Sequence, residues 1–327
     1  MLSGRAYSEQ WPLKVPFVIS RSRRTHVDVV VAVVSDGTHV GRGECQPNSR
    51  YGETCEAVEG ELNAMLEPPC SFEPIDLGIL RSMSARNALD CALWDLKAKQ
   101  AGCRVWDLID RPAPRPTPTV FTLSLGDPAT MAAAASAAFK EGKTRLKLKF
   151  GGVGDDERLR AVRAAVPDAV LVADANEAWD RSMLKAFLPV MAGEGLAMLE
   201  QPLPSGEDAM LGDMEHPVPI VADESCHCSV DVGALAGRYD GVNIKLDKTG
   251  GLTEALALEV AASKAGLSVM VGCMLGTSLA MAPAMLLAAN ATFVDLDGSL
   301  LLSKDRDHKI SFTDAYELLP FSADLWG

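Results

Sequence analysis

Long basic runs, Cys-x-x-Cys pairs and abundant aromatic rings are all missing from this 327-residue chain. Each absence removes a class of function. Lys plus Arg number 31 against 44 Asp plus Glu, a net charge of −13. Such a chain is a poor match to a phosphate backbone, which excludes nucleic-acid partners. Eight cysteines (45, 55, 70, 91, 103, 226, 228 and 273) lack the spacing of a disulfide framework. The opening Met-Leu-Ser-Gly-Arg-Ala-Tyr carries no apolar stretch of a secretory signal, so reduced thiols and a cytoplasmic location are expected. Cys226-His227-Cys228 has no second ligand pair for zinc and reads as ordinary packing. Aromatic residues supply only 6%, so Ala, Val, Leu and Met must fill the core that a 48% apolar composition allows.

Residues Ala265 to Val294 carry no charge and are long enough to span a bilayer. Gly266, Gly272, Gly276, Ser278, Pro283 and Asn290 interrupt them. A short buried strand, Ser268 to Gly272, and a buried helix, Thr277 to Ala289, fit better than a membrane span.

Composition shifts near residue 112. Before it, Val27–Val34 and Val40–Glu44 flank Ser35-Asp36-Gly37 as a strand, turn and strand. Helical spacing follows at 53–66 and 85–99. Four prolines between Arg111 and Pro118 mark a boundary. Beyond it, strand candidates at Thr119–Leu123, Arg145–Phe150, Val170–Ala173, Ala197–Glu200, Ile220–Asp223, Gly241–Lys245, Leu267–Gly272 and Phe293–Leu296 alternate with helical stretches. Eight strands joined by helical crossovers predict an α/β fold closed into a barrel. The expected division is an α+β capping domain over 1–113, a barrel over 114–300, and a tail over 301–327 that returns to the cap.

In such barrels chemistry sits at the C-terminal strand ends. The ionisable residues there are Lys149, Asp174, Glu200, Asp223 and Lys245, separated by 25, 26, 23 and 22 residues, one βα unit each. Three carboxylates in one mouth repel unless a cation joins them. An all-oxygen set with no histidine favours Mg²⁺ over Zn²⁺. Beside a metal cation the lysine ammonium forms are disfavoured, so one lysine can act as a neutral base near pH 7. Lys147 and Lys149 alternate onto the same side of their strand, and Lys245 comes from four strands on.

Lys147-Leu-Lys149, Asp174-Ala-Asn176, Leu199-Glu-Gln-Pro202, Ala222-Asp-Glu-Ser225 and Asn243-Ile-Lys245 with Thr249-Gly-Gly251 resemble the enolase superfamily, muconate-lactonising subgroup. The resemblance covers nearly the whole chain. It implies a modified TIM barrel of (β/α)7β type with an N-terminal cap. One Mg²⁺ per subunit would lie at Asp174, Glu200 and Asp223, with Lys149 and Lys245 as the acid/base pair and Lys147 on the substrate carboxylate.

Asp295-Leu-Asp297 resembles the Asp-x-Asp with which dipeptide epimerases receive a free ammonium. Cys273, Leu275 and Thr122 match substrate-lining positions, and an arginine of the 20–25 loop, here taken as Arg24, matches one that holds a glutamate side chain. The implied activity interconverts L-Ala-D-Glu and L-Ala-L-Glu in murein peptide metabolism by proton transfer between two lysines through an enediolate. By the same resemblance Lys149 serves the D side and Lys245 the L side.

Rival activities on this scaffold are N-acyl-amino-acid racemisation, o-succinylbenzoate synthesis and muconate cycloisomerisation. Their substrates lack the ammonium, which would leave Asp295 and Asp297 unexplained. A Schiff-base aldolase using Lys245 would leave the carboxylates idle, and a non-enzymatic barrel would leave both lysines idle as well. No membrane partner is expected, and the residues do not decide between a monomer and a homo-oligomer.

Overall fold

A computed structural model describes residues 2–67 and 77–327. Cys70 lies outside them, and the seven described cysteines are free thiols. The chain opens with three antiparallel strands, β1 (Ser3–Ile19), β2 (Ser22–Ser35) and β3 (Val40–Cys45), followed by helices α1 (Cys55–Leu66) and α2 (Met83–Ala101). Ser82 caps α2 by accepting from the Ala85 N–H, and Gly102 ends it at a φ of 64°. β3 can lie directly on α2 because Gly43 has no side chain. A Cβ there would stand 2.1 Å from the Ala88 carbonyl oxygen.

Val30, Ala32 and Val34 pack with α1 and α2, while Val27 and Val29 pack with Leu13, Leu275 and Leu302. The cap sheet therefore lies over the barrel mouth. Strand β1 escapes sequence reading because it is a polar edge strand interrupted by Pro12 and Pro16, the strand position that tolerates proline. Its pairing with β2 loses register between Pro12 and Phe17. Beyond that break the two strands continue as a hairpin tip, Phe17 to Arg24. The segment read from sequence as a loop over 20–25 is thus the tip and returning strand of a hairpin.

The barrel strands are β4 (Phe121–Leu123), β5 (Arg145–Lys149), β6 (Val170–Asp174), β7 (Met198–Glu200), β8 (Ile220–Ala222), β9 (Gly241–Ile244), β10 (Ser268–Gly272) and β11 (Phe293–Asp295), hydrogen-bonded in that order. The Val120 N–H donates to the Val294 carbonyl at 2.9 Å and closes the ring. Helices α3 (Pro128–Lys140), α4 (Asp155–Ala165), α5 (Arg181–Gly193), α6 (Leu252–Lys264) and α7 (Ser278–Ala284) cover the outside.

Two crossovers depart from the expected helical form. Between β7 and β8 there is only a 3-10 turn, Ala209–Asp213, and between β8 and β9 a 3-10 turn and one helical turn, Val232–Leu235. Pro202, Pro204, Gly206, Gly212, Pro217 and Pro219 account for the first of these. No described helix is long and apolar enough to cross a membrane. The uncharged segment 265–294 resolves into β10, α7 and a 3-10 turn, Met285–Asn290.

The tail reaches both layers. Glu317–Leu318 pairs with Thr117–Pro118 beside the barrel. Arg42 of β3 donates to the Leu325 carbonyl at 3.0 Å, and the Trp326 indole N–H donates to Cys91 O at 3.0 Å.

Candidate active site

Strand alternation puts Lys147 and Lys149 on one side of β5; the next two strands end on Asp174 and Glu200, and Asp223 directly follows the third. All are buried. One oxygen from each carboxylate lies within 4.8 Å of the others. Lys149 Nζ donates to Asp174 Oδ2 at 2.5 Å, and Lys245 Nζ to Asp223 Oδ2 at 2.6 Å. The two flanking lysines thus bind different members of the carboxylate triad. Lys147 Nζ lies between them, 2.6 Å from Glu200 Oε2, 2.6 Å from Asp295 Oδ2 and 3.4 Å from Asp174 Oδ2.

Opposed effects set the charges. Burial would raise the Asp174 pKa, but the Lys149 and Lys147 ammoniums hold it at about 2. Glu200 goes the other way, to about 7, through burial and the charge of Asp174. Asp223 lies well below its ordinary value because Lys245 and Lys248 outweigh its burial. Burial alone would depress Lys245, yet Asp223 and Glu200 raise it.

Among the described residues, the buried oxygens Glu200 Oε2 and Asp223 Oδ1 meet only ammonium groups, Lys147 Nζ at 2.6 Å and Lys248 Nζ at 2.7 Å. Converging carboxylates with open lone pairs suit a hard divalent cation. Among the described residues this is the only group of three or more His, Cys, Asp or Glu arranged to hold a metal. Cys226-His227-Cys228 forms no such group.

Asp223 of the triad lines a cavity of about 260 Å³ under the cap. Its walls include Thr122, Lys147, Lys149, Lys245, Cys273, Leu275, Asp295 and Asp297 from the barrel, and Phe17, Ile19 and Arg24 from the hairpin. Asp297 Oδ2 accepts the Thr122 N–H at 2.6 Å, and Asp295 Oδ1 is buried without a hydrogen-bond partner among the described residues. Burial and the neighbouring Asp295 raise the Asp297 carboxyl to about 7.

The hairpin arginines divide by position. Arg21 pairs with Glu177 and, at 2.7 Å, with Glu224 Oε1. Arg23 does not line this cavity. Arg21 and Arg24 both do, and of these two only Arg24 has a side chain with no hydrogen bond or ion pair among the described residues. Arg50, beyond β3, also ends on Glu177, at 2.9 and 3.0 Å.

Sequence reasoning passed over Glu177, Glu224, Arg50 and Lys248. Glu224, next to Asp223, and Lys248, one helical turn after Lys245, left a local trace; Glu177 and Arg50 meet the site through loops that strand periodicity does not register.

Residues 2–110 match the model of the mandelate racemase/muconate lactonizing enzyme N-terminal domain, and residues 130–316 that of the enolase C-terminal domain-like family. The chain belongs to the enolase superfamily. Within it, the chain is 45% identical to the L-Ala-D/L-Glu epimerase of Escherichia coli K12, over 96% of this chain and 98% of that one. It is also 39% identical to an N-acetyl-D-glutamate racemase of a Pseudoalteromonas species, over 91% and 95%.

Among solved structures, an enolase family member from Agrobacterium tumefaciens with homology to dipeptide epimerases, bound to sodium and L-Ala-L-Glu, matches with a TM-score of 0.94. It is 45% identical, and all of both chains is covered. A dipeptide epimerase from Cytophaga hutchinsonii with Mg and D-Ala-L-Val matches at 0.92, with 27% identity over 100% of this chain and 95% of that one. This superfamily membership agrees with the barrel, the cap and the acidic triad described above.

Proposed function

We propose that this chain is an isomerase, a Mg²⁺-dependent dipeptide epimerase that interconverts L-Ala-D-Glu and L-Ala-L-Glu. One observation carries the substrate class. Asp295 and Asp297 line the same cavity as the two lysines, and Asp295 keeps a buried oxygen with no hydrogen-bond partner among the described residues. A substrate ammonium supplies the missing donor; an N-acyl group does not. This favours a dipeptide over the N-acetylated amino acid named for the Pseudoalteromonas relative.

The triad Asp174, Glu200 and Asp223 would hold the metal, which when bound draws charge from the substrate's terminal carboxylate and so acidifies the α-C–H. Lys147 pairs with the same carboxylate. One of Lys149 and Lys245 accepts the α-proton as the C–H bond breaks, and the other donates a proton from the opposite face as the new C–H bond forms. They stand on β5 and at the end of β9, the second and sixth of eight strands, which puts them on opposite sides of the ring. Arg24 faces the glutamate side chain, with Cys273, Leu275 and Thr122 along the wall.

A cytoplasmic role in recycling murein peptides fits this substrate. The chain divides into a cap over 1–113, a barrel over 114–300 and a tail over 301–327. The test is α-deuterium incorporation in D₂O with Mg²⁺, followed by NMR. L-Ala-D-Glu is expected to turn over with kcat/KM at least ~100-fold above N-acetyl-Glu, the order expected from losing one or two charge-assisted contacts. Equal or better turnover of the N-acyl compound would overturn the dipeptide assignment.

A further inference from the structure

One buried cation has no part in the chemistry above. Lys248, in the short helix Leu246–Thr249, has a side chain only 1% exposed. Its ammonium donates to the main-chain carbonyls of Asp223, of Cys226 at 2.9 Å and of Asn243 at 3.0 Å, and lies 2.7 Å from Asp223 Oδ1. A lysine has three N–H groups, and here three carbonyls take them. Burying an ammonium is costly unless all of them are satisfied.

Strand pairing explains what this bond set does. β8 and β9 pair at Val221↔Gly241 and Ala222↔Val242, and pairing stops there. Asp223 and Lys245 lie beyond the last paired positions, so no ladder fixes their separation. On the other side of the site the ladder runs to the end, with Lys149↔Asp174 and Asp174↔Glu200 in register. The Lys149 side is therefore set by main-chain pairing. On the Lys245 side, Lys248 ties Asp223 and Cys226, past the end of β8, to Asn243 of β9.

We propose that Lys248 is a positioning residue that holds the β8 and β9 ends together and thereby aims Lys245 at the substrate. The proposal rests on the two-lysine reading above.

The test exploits the asymmetry. Lys149→Ala and Lys245→Ala first establish which Glu isomer of the dipeptide each lysine exchanges in D₂O. Lys248→Met then removes the ammonium and keeps most of the volume. Exchange of the isomer served by Lys245 is expected to fall about 10-fold or more beyond any loss for the other isomer, in line with the cost of a small misplacement of a reacting group. Both rates are measured per sample, so their ratio does not depend on the folded fraction.

A crystal structure of the variant should show the Lys245–Asp223 pair displaced and the Lys149–Asp174 pair retained. Equal loss in both exchanges, or an undisturbed Lys245–Asp223 pair, would overturn the proposal. If Lys248→Met does not fold, Lys248→Arg, which keeps the charge but not the three-carbonyl geometry, is measured in the same way. Should the parent exchange no dipeptide at all, it is the functional reading that fails, and the crystallographic comparison still decides the brace.

Discussion

Asp297 accepts the main-chain N–H of Thr122 at 2.6 Å, a bond from the end of the last barrel strand back to the first. It fixes one carboxylate oxygen and leaves the group with a pKa of about 7, raised by burial and by Asp295. Above that pH the carboxylate is charged and can take a substrate ammonium. Below it the carboxyl is neutral. For the dipeptide, kcat/KM is expected to fall as pH drops through about 7, and Asp297→Asn should remove that limb. N-acetyl-Glu, tested as an alternative substrate, should show no limb from this group. A pH profile on both compounds checks this.

The two lysines give a second expectation. Lys149→Ala and Lys245→Ala should each abolish net epimerisation, since inversion needs a donor and an acceptor on opposite faces. Each variant should still exchange the α-proton of the one isomer whose lysine survives. Parental epimerisation in either variant would show that its lysine is not an obligatory base.

Metal uptake should be visible without turnover. Glu200 titrates near 7 in the metal-free protein through burial and the charge of Asp174. A cation needs the carboxylate form, so Mg²⁺ binding is expected to release protons at pH 6 and few at pH 8.5. Calorimetry in buffers of different ionisation enthalpy reads this directly. EDTA should abolish activity, Mg²⁺ should restore it, and Asp223→Asn should weaken the binding.

Glu177 anchors two separate parts of the cap, the hairpin through Arg21 and the segment after β3 through Arg50. Both arginines are more than a third exposed, so solvent screens each pair to roughly 0.5–1 kcal/mol. Glu177→Gln is therefore expected to raise the dipeptide KM by about 5- to 30-fold while changing kcat little. Steady-state kinetics at low and high salt test it, and added salt should narrow the difference from the parent.

The barrel was legible because its signal is local. Each strand is a short apolar run, and the residues that end on Lys149, Asp174, Glu200, Asp223 and Lys245 repeat at the length of one βα unit. The hairpin β1 was not legible, because a half-exposed edge strand with two prolines has no apolar alternation to find. Glu177 was hidden for another reason. It sits at a φ of 65° in the loop after β6, and only tertiary packing brings Arg21 and Arg50 to it. The choice of Arg24 could be argued only from resemblance; in space both Arg21 and Arg24 line the cavity, and Arg21 is paired with Glu177 and Glu224.

The break in register between Pro12 and Phe17 separates the hairpin tip from the sheet that carries it. Ile19 and Arg24 line the cavity from beyond that break, whereas Phe17 packs on Leu13, Val27 and Val29, and none of the triad or the lysines lies on that segment. On the proposed function, side-chain preference and proton transfer fall in different stretches of the gene. A short randomised cassette over the tip would search substrate range while leaving the reactive centre constant, a division that suits both natural divergence and laboratory selection.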